Sequence, residues 1–223
     1  MRWFECLRWY AAASVLRCSH LNRALYFLIG VSMINGIRVF DTVLDGKNIK
    51  DTVSRNSADF WKPFCKSAGW KFSHERVHSL SDLEYFFSKK IKEEVIIFSG
   101  HGNEDGFYLS NGECFNGQNL KAFPKKNHDK IIIFSSCLIG KNEDLSQELK
   151  SYFSANALFS YRHLMYDRFC FLNESILLTS IEHKLTRGKQ SFTWNDFLEF
   201  QAETDFMKNM NGKYVKLHPM VMA

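Results

Sequence analysis

No apolar run in this chain reaches the roughly twenty residues that a membrane-spanning helix needs; the most apolar early stretch, Ala24 to Val31, is less than half that length. There is no C-x-x-C pair, no internal repeat, no low-complexity linker and no block of like charge. The six cysteines (Cys6, Cys18, Cys65, Cys114, Cys137 and Cys170) are widely spread. That spread excludes a standard zinc ribbon, argues against a disulfide framework and fits a reducing compartment, so a cytoplasmic location is expected. Although the formal charge is +5, the Lys and Arg are scattered rather than gathered into a stripe. No nucleic-acid partner is therefore expected. His74, His78, His163 and His183 have no ligand-like spacing, so neither a metal nor another cofactor is expected.

What is present is a core. The chain has 223 residues, 45% of them apolar and 15% aromatic, with 21 Phe, which suits one folded domain with a terminal appendage. Residues 1–33 differ from the rest: arginines sit among Trp3, Phe4, Trp9 and Tyr10, ahead of the short apolar stretch. They are too short in apolar length to span a bilayer and lack a small-x-small cleavage site after Val31. Three readings stay open: an extension preceding a true start at Met33, a membrane-surface helix, or a packed helix.

From Ile37 strands and helices alternate. Expected strands are Ile37–Leu44, Phe72–His78, Glu94–Ser99, Lys130–Ser136, Ala157–Leu164 and, last, Tyr214–Pro219. Expected helices span residues 51–68, a segment begun by Ser81-Asp82-Leu83-Glu84 with capping-box-like spacing, Asp144–Phe153, Phe169–Leu185 and Trp194–Met207. Gly106 to Phe115 reads as a hairpin around Asn111-Gly112. This order predicts an α/β sandwich with a mainly parallel sheet.

Two of the strands end in chemistry. Val95-Ile96-Ile97-Phe98 runs into Ser99-Gly100-His101-Gly102, and Ile131-Ile132-Ile133-Phe134 runs into Ser135-Ser136-Cys137. Apolar runs this short read as strands buried on both faces, and such sheets bind ligands beyond the carboxyl ends of their strands. A thiol at neutral pH needs a base to become a useful nucleophile, and His101 can take its proton and later donate one to a leaving amine. The backbone amides of Gly102 and Cys137 are candidates for an oxyanion hole. Small Ser135 and Ser136 leave room for a substrate side chain.

In these motifs the chain resembles the caspase-like, or clan CD, cysteine peptidases, in which an apolar strand ending in His-Gly precedes another ending in a small residue and Cys. The likeness runs from about Ile37 to the C-terminus and is nearest to the CHAT and separase branch, through Ala157–Asp167. It implies a three-layer caspase-like α/β/α sandwich over residues 34–223. It further implies a thioester acyl-enzyme on Cys137, protein or peptide substrates, and a regulatory protein partner. By the same resemblance Asp167 lines the specificity pocket, so cleavage after Lys or Arg is expected. The Gln-Ala before Cys and the Arg or Gln, then Gly, after it that mark caspases are absent; Leu138-Ile139-Gly140 follows Cys137, and the caspase preference for aspartate is not carried over.

Other readings accompany these. Asp167 also suits the first turn of a helix. Asp129, Glu104 and Asp105 are candidates to orient His101 or are solvated loop charges. The same fold serves a catalytically inactive interaction module, or another thiol hydrolase or acyltransferase.

Overall fold

The computed structural model describes residues 34–42 and 57–223, so the sequence reading of residues 1–33 and the first residues of the helix expected from 51 lie outside the described residues. Strand β1 (Gly36–Asp41) leads to α1 (Ser57–Ala68), β2 (Lys71–Arg76), α2 (Leu80–Ser88) and β3 (Val95–Ser99). Three short strands follow: β4 (His101–Asn103), β5 (Gly106–Tyr108) and β6 (Cys114–Phe115). Then come β7 (Ile131–Ser135), α3 (Glu143–Phe153), β8 (Ala157–Tyr161), α4 (Asp167–Thr186), α5 (Trp194–Glu203) and β9 (Met220–Met222).

The main sheet has six strands in the order β2-β1-β3-β7-β8-β9. All neighbours are parallel except β9, which runs antiparallel to β8. Alternation along each strand divides the core in two. Ile37, Val39, Ile97, Ile133 and Phe159 face one layer, built from α1, α4 and α5 through Trp61, Leu177 and Phe197. Phe40, Ile96, Phe98, Phe134 and Leu158 face the other, built from α2, α3 and the small sheet through Phe87, Phe153 and Phe107. The protein is a three-layer α/β/α sandwich with a mainly parallel central sheet, as its alternating pattern predicts. Among the described residues no helix is long and apolar enough to cross a membrane.

Several boundaries move. Helix α2 is capped by Ser79, not Ser81: the Ser79 hydroxyl accepts from the Asp82 amide, and the Asp82 carboxylate accepts from the Ser79 amide. The last strand is Met220–Met222, whereas Tyr214–Pro219 is irregular. Pro219 has no N–H to contribute to a ladder; its carbonyl instead accepts from Arg162 N at 2.8 Å, and pairing with Phe159–Tyr161 begins only after it. Helix α5 ends at Glu203 rather than Met207, giving way to a 3-10 segment over Asp205–Gly212.

His218 ties that segment to β9. Its Nδ1 accepts from Met220 N at 3.2 Å and its Nε2 lies 3.0 Å from Thr204 Oγ1. Burial pushes its pKa from 6.5 down to about 4. The unfolded chain therefore takes up this proton first as pH falls, and stability drops between about 6.5 and about 4, by about 3 kcal/mol in all. Urea midpoints measured across that window should show this acid limb, and His218→Gln should flatten it. An unchanged limb in the variant assigns the acid sensitivity elsewhere.

Candidate active site

The site lies at the carboxyl edge of the sheet, beside the place where the strand order reverses around β1 and β3. Strands β3 and β7 pair in register, Phe98 with Phe134 and Ser99 with Ser135. The ladder extends one step further, with Gly100 N donating to Ser135 O at 3.3 Å. His101 and Cys137 thus stand at equivalent positions, each two residues past the last pair. Both are half-buried.

His101 opens β4, which turns at Glu104-Asp105 and returns as β5, so His101 pairs with Tyr108 and Gly102 with Phe107. The small sheet is anchored by Phe107 and Phe115, both fully buried. Its first strand lies directly on the Cys137 turn. A Cβ built on Gly102 would sit 2.8 Å from Ser136 Oγ, 3.0 Å from the Cys137 carbonyl oxygen and 3.0 Å from Ile139. Only hydrogen on that α-carbon lets the two motifs meet this closely. Gly102→Ala is expected to shift the Cys137 backbone by several tenths of an ångström and to lower turnover by about a hundredfold. The closest obstacle is the Ser136 hydroxyl, which is buried and makes no hydrogen bond among the described residues. Adding Ser136→Ala removes it without stranding a partner and should restore about tenfold, as read by kcat/KM in a double-mutant cycle.

The turn after Cys137 is tight. Leu138 adopts φ 65°, and Ile139 N donates to Cys137 O at 2.9 Å. A left-handed conformation at a branched, non-glycine residue costs about 1–2 kcal/mol, and strain of this kind concentrates at functional positions. Cys137 Sγ points to the loop after β8: Met165 N donates to it at 3.3 Å, and Met165 O lies 3.8 Å away.

That loop and the Cys137 turn flank a cleft of about 700 Å³. Leu138, which follows Cys137, lines it, as do Leu164 and Tyr166 on either side of Met165. Its polar lining is Lys141, Glu143, Arg162, His163 and Lys213. Lys141 is held by Glu104 at 2.6 Å. Burial lowers the His163 pKa, and the neighbouring Arg162 charge lowers it further.

The remaining sequence candidates are distributed unevenly. Ser135 and Ser136 are fully buried and do not line the cleft. Asp167 is the first residue of α4, where a carboxylate complements the helix dipole; it is half-buried and is not part of the cleft lining. Asp129 lies before β7, at the opposite end of the sheet from His101, and its amide donates to Ser154 O. Glu104 is engaged with Lys141, and Asp105 N donates to Asn103 Oδ1 within the β4–β5 turn. No cluster of three or more His, Cys, Asp or Glu able to hold a metal ion occurs among the described residues.

No protein-family model matches this chain. No curated protein matches it significantly either.

Sequence reasoning missed the cleft, because its walls come from three separate segments: the Cys137 turn, the loop after β8, and residues 213–217. Their only local signal is an excess of exposed large apolar residues, Leu164, Tyr166, Tyr214 and Leu217, in stretches without regular periodicity.

Proposed function

We propose that the described domain is a cysteine peptidase of the caspase-like type, with Cys137 as nucleophile and His101 as its proton carrier. The observation that carries the reading is the in-register delivery of both residues two positions past paired strand ends, with Gly102 packed against the Cys137 backbone. His101 takes the thiol proton as Cys137 Sγ bonds to the scissile carbonyl carbon, whose oxygen becomes the anion. The amides of Gly102 and Cys137 are the donors for that oxygen, each contributing about 3 kcal/mol in sites of this kind. Collapse breaks the C–N bond, and the amine leaves with the proton from His101. Water, deprotonated by His101, then cleaves the thioester and returns the thiol.

A protein or peptide substrate fits a cleft that is open, rimmed by apolar side chains and lined by Leu138, the residue after Cys137. A regulatory protein partner is an implication of the resemblance, and a cytoplasmic setting an implication of the wide spread of cysteines along the sequence.

A non-catalytic role draws on a different observation: Sγ is already engaged with the backbone of Met165, as a structural thiol would be. One experiment separates the two. Incubation with a panel of peptidyl acyloxymethyl ketones, read by intact mass and peptide mapping, should give a single adduct on Cys137 that is lost in Cys137→Ala. Absence of an adduct, or equal labelling of Cys65 and Cys114, would leave the interaction module as the better account.

A further inference from the structure

The sequence scatters its lysines, but the fold gathers some of them. Because β3 and β7 are neighbouring parallel strands, the loops leading into them lie side by side at the edge of the sheet opposite Cys137. One loop brings Lys89, Lys90 and Lys92, the other Lys125 and Lys126, and all five are exposed. A fully buried side chain ties the loops together. Asn127 Nδ2 donates to Phe87 O and to Lys89 O, both at 2.8 Å, and its Oδ1 accepts from Ile91 N at 2.8 Å. Lys126 Nζ reaches across to Ser88 O at 2.5 Å.

This positive charge has no counterpart within the domain. None of the five lysines makes an ion pair among the described residues. The carboxylates nearby in sequence are largely engaged: Glu84 by Lys121, Glu93 by Arg38 and Ser73, and Glu94 by the Asn35 amide, which leaves Asp129 exposed beside the patch. Helix dipoles do not account for it either. Lys66 and Lys150 stand in last helical turns, where a cation complements the dipole, but Lys90, Lys92, Lys125 and Lys126 lie in no α-helix.

The kind of anion is set by the surroundings. Lysine is a compact, strongly hydrated point charge without the bidentate fork that defined phosphate geometry favours, and the patch contains no arginine. Tyr85 stands beside it, 58% exposed, with Lys89 Nζ 4.7 Å from its ring centre, an amphipathic group of the sort that settles at the headgroup level of a bilayer. The chain also enters the domain here: Asn35 Nδ2 donates to Lys92 O at 3.4 Å. The sequence ahead of that point has Arg2, Arg8, Arg17 and Arg23 among Trp3, Phe4, Trp9 and Tyr10, the composition of an interfacial segment.

We propose that this edge is a membrane-docking face, on which Lys89, Lys90, Lys92, Lys125 and Lys126 meet a bilayer surface of anionic phospholipid. Docked in this way, the domain holds the Cys137 edge away from the lipid. The assignment is independent of the peptidase reading.

The test is co-sedimentation of the full chain with vesicles of phosphatidylcholine alone, or with about one third phosphatidylserine. Binding should need phosphatidylserine at about 0.1 M salt and be lost near 1 M. Each lysine should contribute about fivefold, so Lys89→Gln/Lys90→Gln should weaken binding about twentyfold, and adding Lys125→Gln/Lys126→Gln should take the loss beyond about a hundredfold. Lys62→Gln/Lys216→Gln, which removes the same charge from α1 and the opposite edge, should stay within about threefold of wild type. Equal binding to both vesicles, binding untouched by the four-lysine variant, or an equal loss in Lys62→Gln/Lys216→Gln would each overturn the proposal. A random-sequence DNA duplex bound more tightly than the vesicles at the same salt would overturn it in favour of nucleic acid. Thermal unfolding identifies any variant that fails to fold, and if the four-lysine variant does, the Lys89/Lys90 and Lys125/Lys126 pairs replaced separately carry the same comparison.

Discussion

Alanine at position 101 is expected to lower kcat/KM on the best library peptide by about a thousandfold or more, as far as Cys137→Ala does. The two losses should be of similar size because the residues act as one unit: without the imidazole the thiol loses its proton acceptor and the departing amine its donor. The double variant should be no worse than either single one. Stability should change little, since both side chains are half-buried at the sheet edge and neither belongs to the buried core. Progress curves together with thermal unfolding check this. Retention of activity within about tenfold of wild type in His101→Ala would remove the imidazole from the reaction, whatever Cys137 does.

Phe98→Ala is expected to produce the largest loss of stability, about 3–5 kcal/mol, seen as a fall in the urea midpoint. Phe98 is fully buried at the centre of the aromatic layer, with ring centroids 4.8 Å from Phe134, 5.5 Å from Phe153 and 5.7 Å from Phe107. No neighbour can refill the space without leaving its own ring contacts. Phe107 also belongs to β5, which pairs with β4, so the cavity opens beneath the strand that begins with His101. Activity should therefore fall in Phe98→Ala at temperatures well below its unfolding midpoint, whereas Phe98→Leu, which fills more of the space, should keep both stability and activity closer to wild type. Equal loss of stability in the two variants would show that the layer does not depend on ring packing at this position.

Both effects follow from strands that are easy to read. Val95–Phe98 and Ile131–Phe134 are continuous apolar runs flanked by polar residues, and a strand covered on both faces must have that composition. Their boundaries and their chemical ends, His101 and Cys137, are thus local properties of the chain. The same holds for the layer order, because alternation of strands with helices leaves few ways to bury both faces of the sheet.

Other features depend on partners distant in sequence. The cap of α2 falls on Ser79 because the Asp82 carboxylate closes the box there, a choice that spacing alone leaves open by two residues. The final strand falls after Pro219, not before it, because edge pairing is set by the ladder that β8 offers. Asp129 and Glu104 are near the motifs in sequence, yet strand direction carries the first to the far edge and Lys141 engages the second. The cleft is the clearest case. Arg162 looks like any other scattered arginine until the fold buries its Nε without a hydrogen bond among the described residues and sets Glu143 near its charge, whereas Arg38 and Arg76 each receive a carboxylate on that edge. By itself, then, the sequence determined the layered α/β architecture and the two residues at the strand ends, since periodicity and composition act over a few neighbours. Only the tertiary structure decided which charges are satisfied and which face the cleft, because desolvation and ion pairing depend on what the rest of the chain places nearby.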